Sequence, residues 1–191
     1  MRYKPEHLRE SHARILEAAG RGFRSRGFAG IGVDGLAQEA GLTSGAFYGH
    51  FPSKSEAFRA ALRAGLEELH QGIKAFQTKH GGDWVKPFVT FYLGTKRTCQ
   101  RAESCALPTL SPEIERSDAK TRAIYDAKLL ALATTIADGF HQVPRSERLD
   151  RAWAFLGLLA GGLTLSRAMK NQSAAEKIAA ATIRSAITIS T

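Results

Sequence analysis

Three groups of residues have types and spacings that suggest chemistry, and each must be weighed against the elements that would hold it. Gly30-Ile-Gly32-Val-Asp-Gly35 spells GxGxxG. In a dinucleotide site such glycines turn a strand into a helix beneath a pyrophosphate, so the spacing has meaning only after a strand. Here the preceding residues have helical periodicity and no parallel sheet follows, which argues against a nucleotide site. The histidines are scattered: His7 and His12 fall on different helix faces, and no cysteine stands three or four positions from a histidine or another cysteine. No serine or cysteine is accompanied by a base and an orienting acid, so the expectation is a protein that is not an enzyme and carries neither cofactor nor metal. Cys99 and Cys105 remain. Six positions of continuous helix rotate through ~600°, which puts the sulfurs on different faces and makes a disulfide dependent on a bend between them.

The elements that would position these residues are helices. Apolar or small residues recur in alternating steps of three and four at Leu8, His12, Ile15, Ala19 and Gly22. Further series run Phe58, Leu62, Leu66, Leu69, Ile73, Phe76; Trp84, Phe88, Phe91, Tyr92; and Leu129, Ala133, Ile136, Phe140. Nothing alternates with period two for long, so the fold class is all-α. Ser53-Lys-Ser-Glu56 and Ser173-Ala-Ala-Glu176 have the form of capping boxes, in which serine accepts from the N3 amide and glutamate reaches back. Ser111-Pro112-Glu113 has the composition of a helix start, Gly81-Gly82 breaks a long helix, and Pro144 ends another. These signals predict helices near 8–26, 33–40, 44–50, 54–79, 83–101, 112–142, 147–170 and 174–189, with room for one more short helix in 102–110.

Composition narrows the function classes. The net charge of +9 fits a polyanionic partner, but residues 1–60 hold nine Lys/Arg against six Asp/Glu, so charge alone does not locate the contact surface. The longest uncharged run, Ala152 to Ser166, is shorter than the ~20 residues that span a bilayer. Met1 to Glu10 is polar and mixed in charge, unlike a secretory leader. With two cysteines, the expectation is a reduced, cytoplasmic protein with no membrane partner.

The informative segment is Gly32 to Lys54, GVDGLAQEAGLTSGAFYGHFPSK. Val33, Leu36, Ala37 and Ala40 share one face of a short helix. Gly41 suits the left-handed position that ends it, Leu42 points to the core, and Thr43 can cap a second helix from Ser44 to His50. Two short helices joined by a glycine turn make a helix-turn-helix. Its second helix is expected to present Thr43, Ser44, Gly45, Tyr48 and Gly49 outward, with Ala46, Phe47 and Phe51 inward.

This segment resembles the DNA-binding domain of the tetracycline-repressor (TetR/AcrR) family. The resemblance rests on Ala37-Gln-Glu-Ala-Gly41, Phe47-Tyr48 and Phe51-Pro-Ser-Lys54 in that order, with Ile15-Leu-Glu-Ala-Ala19 and Phe23 to Gly27 similar to the family's first helix. It implies a three-helix helix-turn-helix DNA-binding domain at 1–53 and a helical ligand-binding and dimerisation domain at 54–191. It further implies that Thr43, Ser44 and Gly45 approach base edges or phosphates in the major groove, that Tyr48 and His50 donate to phosphate oxygens, and that Lys54 pairs with the backbone. Many relatives carry Lys or Arg where Ser44 stands, so direct base readout here is expected to be weaker or differently placed.

For the remainder the resemblance implies an inducer pocket, for which Trp84, Phe88, Phe91, Tyr92, Tyr125 and Trp153 are the aromatic candidates; the same aromatics at helical spacing also read as plain core. It also implies a homodimer built from the last two helices. Gly157, Ala160, Gly161 and Thr164 form a ridge of small residues, and Ile178, Thr182, Ala186 and Ile189 a matching face. The expected function is a ligand-responsive transcriptional regulator, usually a repressor in this family, bound as a homodimer to a palindromic double-stranded DNA operator and controlled by a small-molecule effector. Two alternatives stand beside it. One is a helical small-molecule-binding protein whose helix-turn-helix is vestigial. The other is a redox- or electrophile-sensing regulator using Cys105, expected to be the more accessible thiol on a loop, with Arg97 and Arg101 placed to stabilise a thiolate.

Overall fold

In the computed structural model, residues 5–191 are described, with side chains from Ser11 onward. His7 and Leu8 therefore lie outside the described side chains. Nine α-helices and two short 3-10 turns occur among the described residues, and no strand: α1 (Pro5–Arg26), α2 (Val33–Glu39), α3 (Ser44–Tyr48), α4 (Lys54–His80), α5 (Val85–Thr98), α6 (Ala106–Glu115), α7 (Ala119–Asp138), α8 (Arg148–Ala168) and α9 (Gln172–Thr188). The 3-10 turns, Gly81–Asp83 and Arg101–Glu103, flank α5.

The helix α4 packs along α1 and α7, so one 27-residue element touches both ends of the molecule. Its buried series Phe58, Leu62, Leu66, Leu69 and Ile73 is the spacing of a single apolar stripe. At its N-terminal end Phe58 meets Phe23 and Phe28 edge-on, with ring centroids 5.1 and 5.2 Å apart. Leu36, Phe47 and Phe51 complete that part of the core. At the far end Trp84, Phe88, Phe140 and Phe155 form an aromatic cluster, and the Trp84 indole donates to the Gly139 carbonyl at 3.0 Å.

Four local expectations are corrected. The stretch 112–142 is two helices, because packing carries α6 from Ala106 through Pro112 to Glu115 with Ala106, Leu107, Leu110 and Ile114 buried. The chain breaks instead at Arg116–Asp118, where the Asp118 carboxylate accepts from the Thr121 amide at 2.7 Å and caps α7. Before Pro144 is reached, α7 has already ended at Gly139. The cap of α9 is Asn171, which accepts from the Ala174 amide, and Ser173 lies inside the first turn. Ser53 does cap α4 through the Glu56 amide at 3.1 Å, but Glu56 does not reach back, because Arg59 and Lys120 hold its carboxylate.

Helices α8 and α9 pack tightly at Gly162, where a β-carbon would run into the Thr182 side chain. Thr182, expected on an outward face, is 8% exposed inside its own protomer for that reason. No helix among the described residues is long and apolar enough to cross a membrane.

Candidate nucleic-acid interface

Two short helices, α2 and α3, are held at a fixed angle by the turn between them. Gly41 has φ +69°, which a side chain would strain, and this lets the Leu42 amide bond back to the Ala37 carbonyl at 2.9 Å and the Gly41 amide to Gln38 at 3.0 Å. These are the paired bonds of a Schellman ending. Thr43 follows in extended conformation, and its hydroxyl accepts from the Ala46 amide at 3.2 Å. The α3 helix is little more than one turn in length, so its orientation depends on what anchors it. Phe47 is fully buried and Phe51 nearly so, while Leu42 packs partly buried beside them.

Outside that anchor the structure exposes Thr43, Gly45 and Gly49, and leaves Tyr48 53% exposed with its phenol free to reach a partner. Ala46, expected inward, is exposed as well. A helix this short turns only one narrow face to the core, and the Phe47 ring fills it. His50 lies beyond the end of α3 rather than within it. It packs half-buried beside His12 of α1, with ring centroids 5.8 Å apart, and His12 in turn contacts the Phe51 ring. Desolvation, and then the neighbouring His12, hold the His50 pKa below its ordinary value. Lys54 opens α4 with its ammonium 4.5 Å from the Phe28 ring centroid, a cation–π contact that orients the charge.

Ser44 differs from its expected role. Its hydroxyl is hydrogen-bonded to the Asp34 carboxylate of α2, so it ties the two helices together. Asp34 and Phe28 are residues that sequence spacing did not mark, and His12 was marked only as a member of the α1 series. Each contacts a residue ten or more positions away, which helical periodicity does not record.

Elsewhere, the expected pocket aromatics divide. Phe88, Phe91 and Tyr92 share a cavity of about 280 Å³ between α4, α5 and the start of α6, together with Phe76, Leu69 and Cys105. The Tyr92 hydroxyl is buried there without a hydrogen-bond partner among the described residues, and burial raises its pKa well above the usual phenol value. Trp84 lies in the core and does not line this cavity, Tyr125 bonds Ser111 at 2.7 Å, and Trp153 is 38% exposed on α8. On the same helix Gly157 and Thr164 are exposed and Ala160 and Gly161 half-buried, with Ile178 half-buried on α9.

The cysteine expectation is also corrected. Cys105 is buried at the start of α6, and burial pushes its thiol pKa up, away from a thiolate. Cys99 is the more exposed thiol; both are free. Arg97 and Arg101 donate to the carbonyls of Leu93 and Arg24, so the guanidinium beside a sulfur belongs to Arg167, 3.9 Å from Cys99 Sγ. The chain does bend between the two cysteines, at the 3-10 turn, but the bend buries Cys105 against Tyr92 instead of exposing it. Among the described residues no group of three or more His, Cys, Asp or Glu side chains is placed to hold a metal ion.

Residues 15–61 match the family model for bacterial regulatory proteins of the tetR family. That match covers α1 to the start of α4, so this region is similar to the DNA-binding domain of tetR-family regulators. Its N-terminal part is 41% identical over 73 residues to the HTH-type transcriptional regulator TtgR of Pseudomonas putida, covering 38% of this chain and 34% of that one. It is 34% identical over 65 residues to the HTH-type transcriptional activator FasR of Mycolicibacterium smegmatis, covering 34% and 30% of the two chains. These matches span only about a third of the relatives' length. The whole fold is similar to a TetR-family regulator from Cytophaga hutchinsonii, with a TM-score of 0.77 at 17% identity over 94% of both chains. It is likewise similar to the reduced form of NemR from E. coli, with a TM-score of 0.74 at 18% identity over 91% of this chain and 95% of that one. The TetR signature thus falls on α1 to the start of α4, where the anchored α3 stands, while the rest of the likeness is one of fold.

Proposed function

We propose that this chain is a transcriptional regulator of the TetR family that binds an operator as a homodimer through α3 and releases or holds it in response to a small molecule. The observation that carries the reading is the exposed rim of Thr43, Gly45 and Tyr48 above the buried Phe47–Phe51 anchor. A helix fixed from below and bare above can enter a major groove without rearranging. In this reading Thr43 and Gly45 approach the bases, Tyr48, His50 and Lys54 contact phosphates, and Ser44 positions α3 through Asp34. The stripe of α8 with exposed Trp153, Gly157 and Leu165 and half-buried Gly161 is the dimer face, and the Tyr92 cavity takes the effector.

Selection of bound sites from random duplex DNA, followed by affinity measurements across salt concentrations, tests this. The expected site is an inverted repeat whose half-sites are ~34–36 Å apart or a nearby spacing, with affinity falling steeply as salt rises. A selected site with no inverted repeat removes the dimeric arrangement. Binding to no duplex at any salt leaves a helical small-molecule-binding protein.

A further inference from the structure

A second cavity, of about 370 Å³, opens between α6 and α8. Pro108, Leu163 and Ala168 give it an apolar side, and Arg101, Ser104 and Arg167 a polar one. Ser104 is 3% exposed, and its hydroxyl has no hydrogen-bond partner among the described residues. A buried hydroxyl left unpaired is costly, and a ligand atom would satisfy it.

Both guanidiniums are held by backbone and neither is neutralised. Arg167 gives Nη1 to the carbonyls of Lys96, Arg97 and Cys99 at 2.7, 2.9 and 3.1 Å, which leaves its Nε and Nη2 without a partner among the described residues. Arg101 gives Nε to the Arg24 carbonyl at 3.1 Å, which leaves both of its terminal nitrogens. Among the described residues neither forms an ion pair, although the carboxylate of Glu103 is two positions from Arg101. The Thr109 hydroxyl, also on this wall, is already committed to the Cys105 carbonyl at 2.6 Å. The polar side therefore offers two positive forks and a hydroxyl.

We infer that this cavity binds a small molecule carrying a carboxylate on an apolar tail. The carboxylate is taken by Arg101, Arg167 and Ser104, because guanidinium forks match its two oxygens and charge-assisted bonds are the strong ones. The tail lies against Pro108, Leu163 and Ala168, and the volume suits a molecule at the small end of ordinary ligands. The site is distinct from the Tyr92 cavity and needs neither DNA nor the effector reading. Occupancy acts on the end of α1, since Arg101 holds the Arg24 carbonyl and Arg24 in turn donates to Ala102.

Calorimetric titration of the full chain with sodium octanoate, octan-1-ol and inorganic phosphate, at constant ionic strength, tests the inference. Octanoate should bind at least tenfold more tightly than either octanol or phosphate. Arg101→Gln should weaken octanoate about tenfold and Ser104→Ala several-fold, with octanol unchanged in both. Arg101 is exposed and Ser104→Ala removes only the unpaired oxygen, so the two variants check each other if one folds poorly. Equal affinity for octanoate and octanol overturns the carboxylate assignment, and phosphate binding as tightly as octanoate overturns the apolar tail. Octanoate binding untouched by both substitutions places it elsewhere and overturns the site.

Discussion

Donors on the α3 surface divide by what already holds them. The Ser44 hydroxyl is engaged by Asp34, so Ser44→Ala should loosen α3 against α2 rather than remove a base contact. Affinity should then fall by a similar factor, about 3- to 10-fold, on strong and weak operators, given a net hydrogen bond of ~0.5–1.5 kcal/mol. A reordering of site preference in a binding selection would show that Ser44 reads bases after all. Lys54 stands free to reach phosphate from its seat on Phe28, so Lys54→Ala should make the log–log salt dependence shallower by about one unit. His50 supplies a pH test. Its pKa in the free protein is lowered, first by desolvation and then by His12, so it is neutral near pH 7. An adjacent phosphate favours the charged ring and raises that pKa, so binding takes up a proton and affinity should rise as pH falls through the raised pKa of the bound state. Operator titrations from pH 7.5 to 5.5 check this, and His50→Gln should flatten the profile.

At the scale of elements, the junction of α4 with α6 and α7 rests on one buried guanidinium. Arg59 bonds Glu56 at 2.6 Å and Asp118 at 3.0 Å, and Lys120 adds a second cation to Glu56 at 2.8 Å. Hydrogen bonds from Arg59 first, and then Lys120, lower the Glu56 pKa to about 2. A depressed carboxylate pKa contributes stability above the unfolded value, near 4.5, that is lost as pH falls toward 2. Thermal melts between pH 5 and 2 should therefore drop more steeply for the wild type than for Glu56→Gln; parallel curves would dissociate Glu56 from acid unfolding. Arg59→Met keeps the packing but leaves both carboxylates without their shared partner, and should cost about 1–3 kcal/mol in urea unfolding.

For the whole molecule, adjacent glycines on α8 separate folding from the proposed dimerisation. A β-carbon at Gly162 collides with Thr182 of the same chain, whereas one at Gly161 meets nothing within 4 Å. Gly162→Val should thus destabilise the protomer by ~1–3 kcal/mol through overpacking, whatever the oligomeric state. Gly161→Glu should leave the protomer fold intact and drive the dimer to monomer, because a carboxylate buried without a partner is expensive at an interface. Sedimentation combined with far-UV circular dichroism reads both. A Gly161→Glu protein that remains dimeric would move the interface off this face of α8.

The sequence alone determined what depends on near neighbours. Helical spacing marked the apolar stripes, Gly41 and Thr43 marked the turn and cap of the helix-turn-helix, and Ala37 to Lys54 carried the family signature. Those signals lie within a few residues of one another, where backbone sterics and capping hydrogen bonds act. Tertiary structure decided the rest. Packing carried α6 through Pro112 against its local start signal, and put Thr182 against Gly162 instead of outside. It bound Ser44 to Asp34, buried Cys105 beside Tyr92, and brought Arg101 and Arg167 to one cavity from positions sixty-six residues apart. Each of these contacts joins residues ten or more positions apart on different elements, and no local periodicity records which faces will meet once the helices pack.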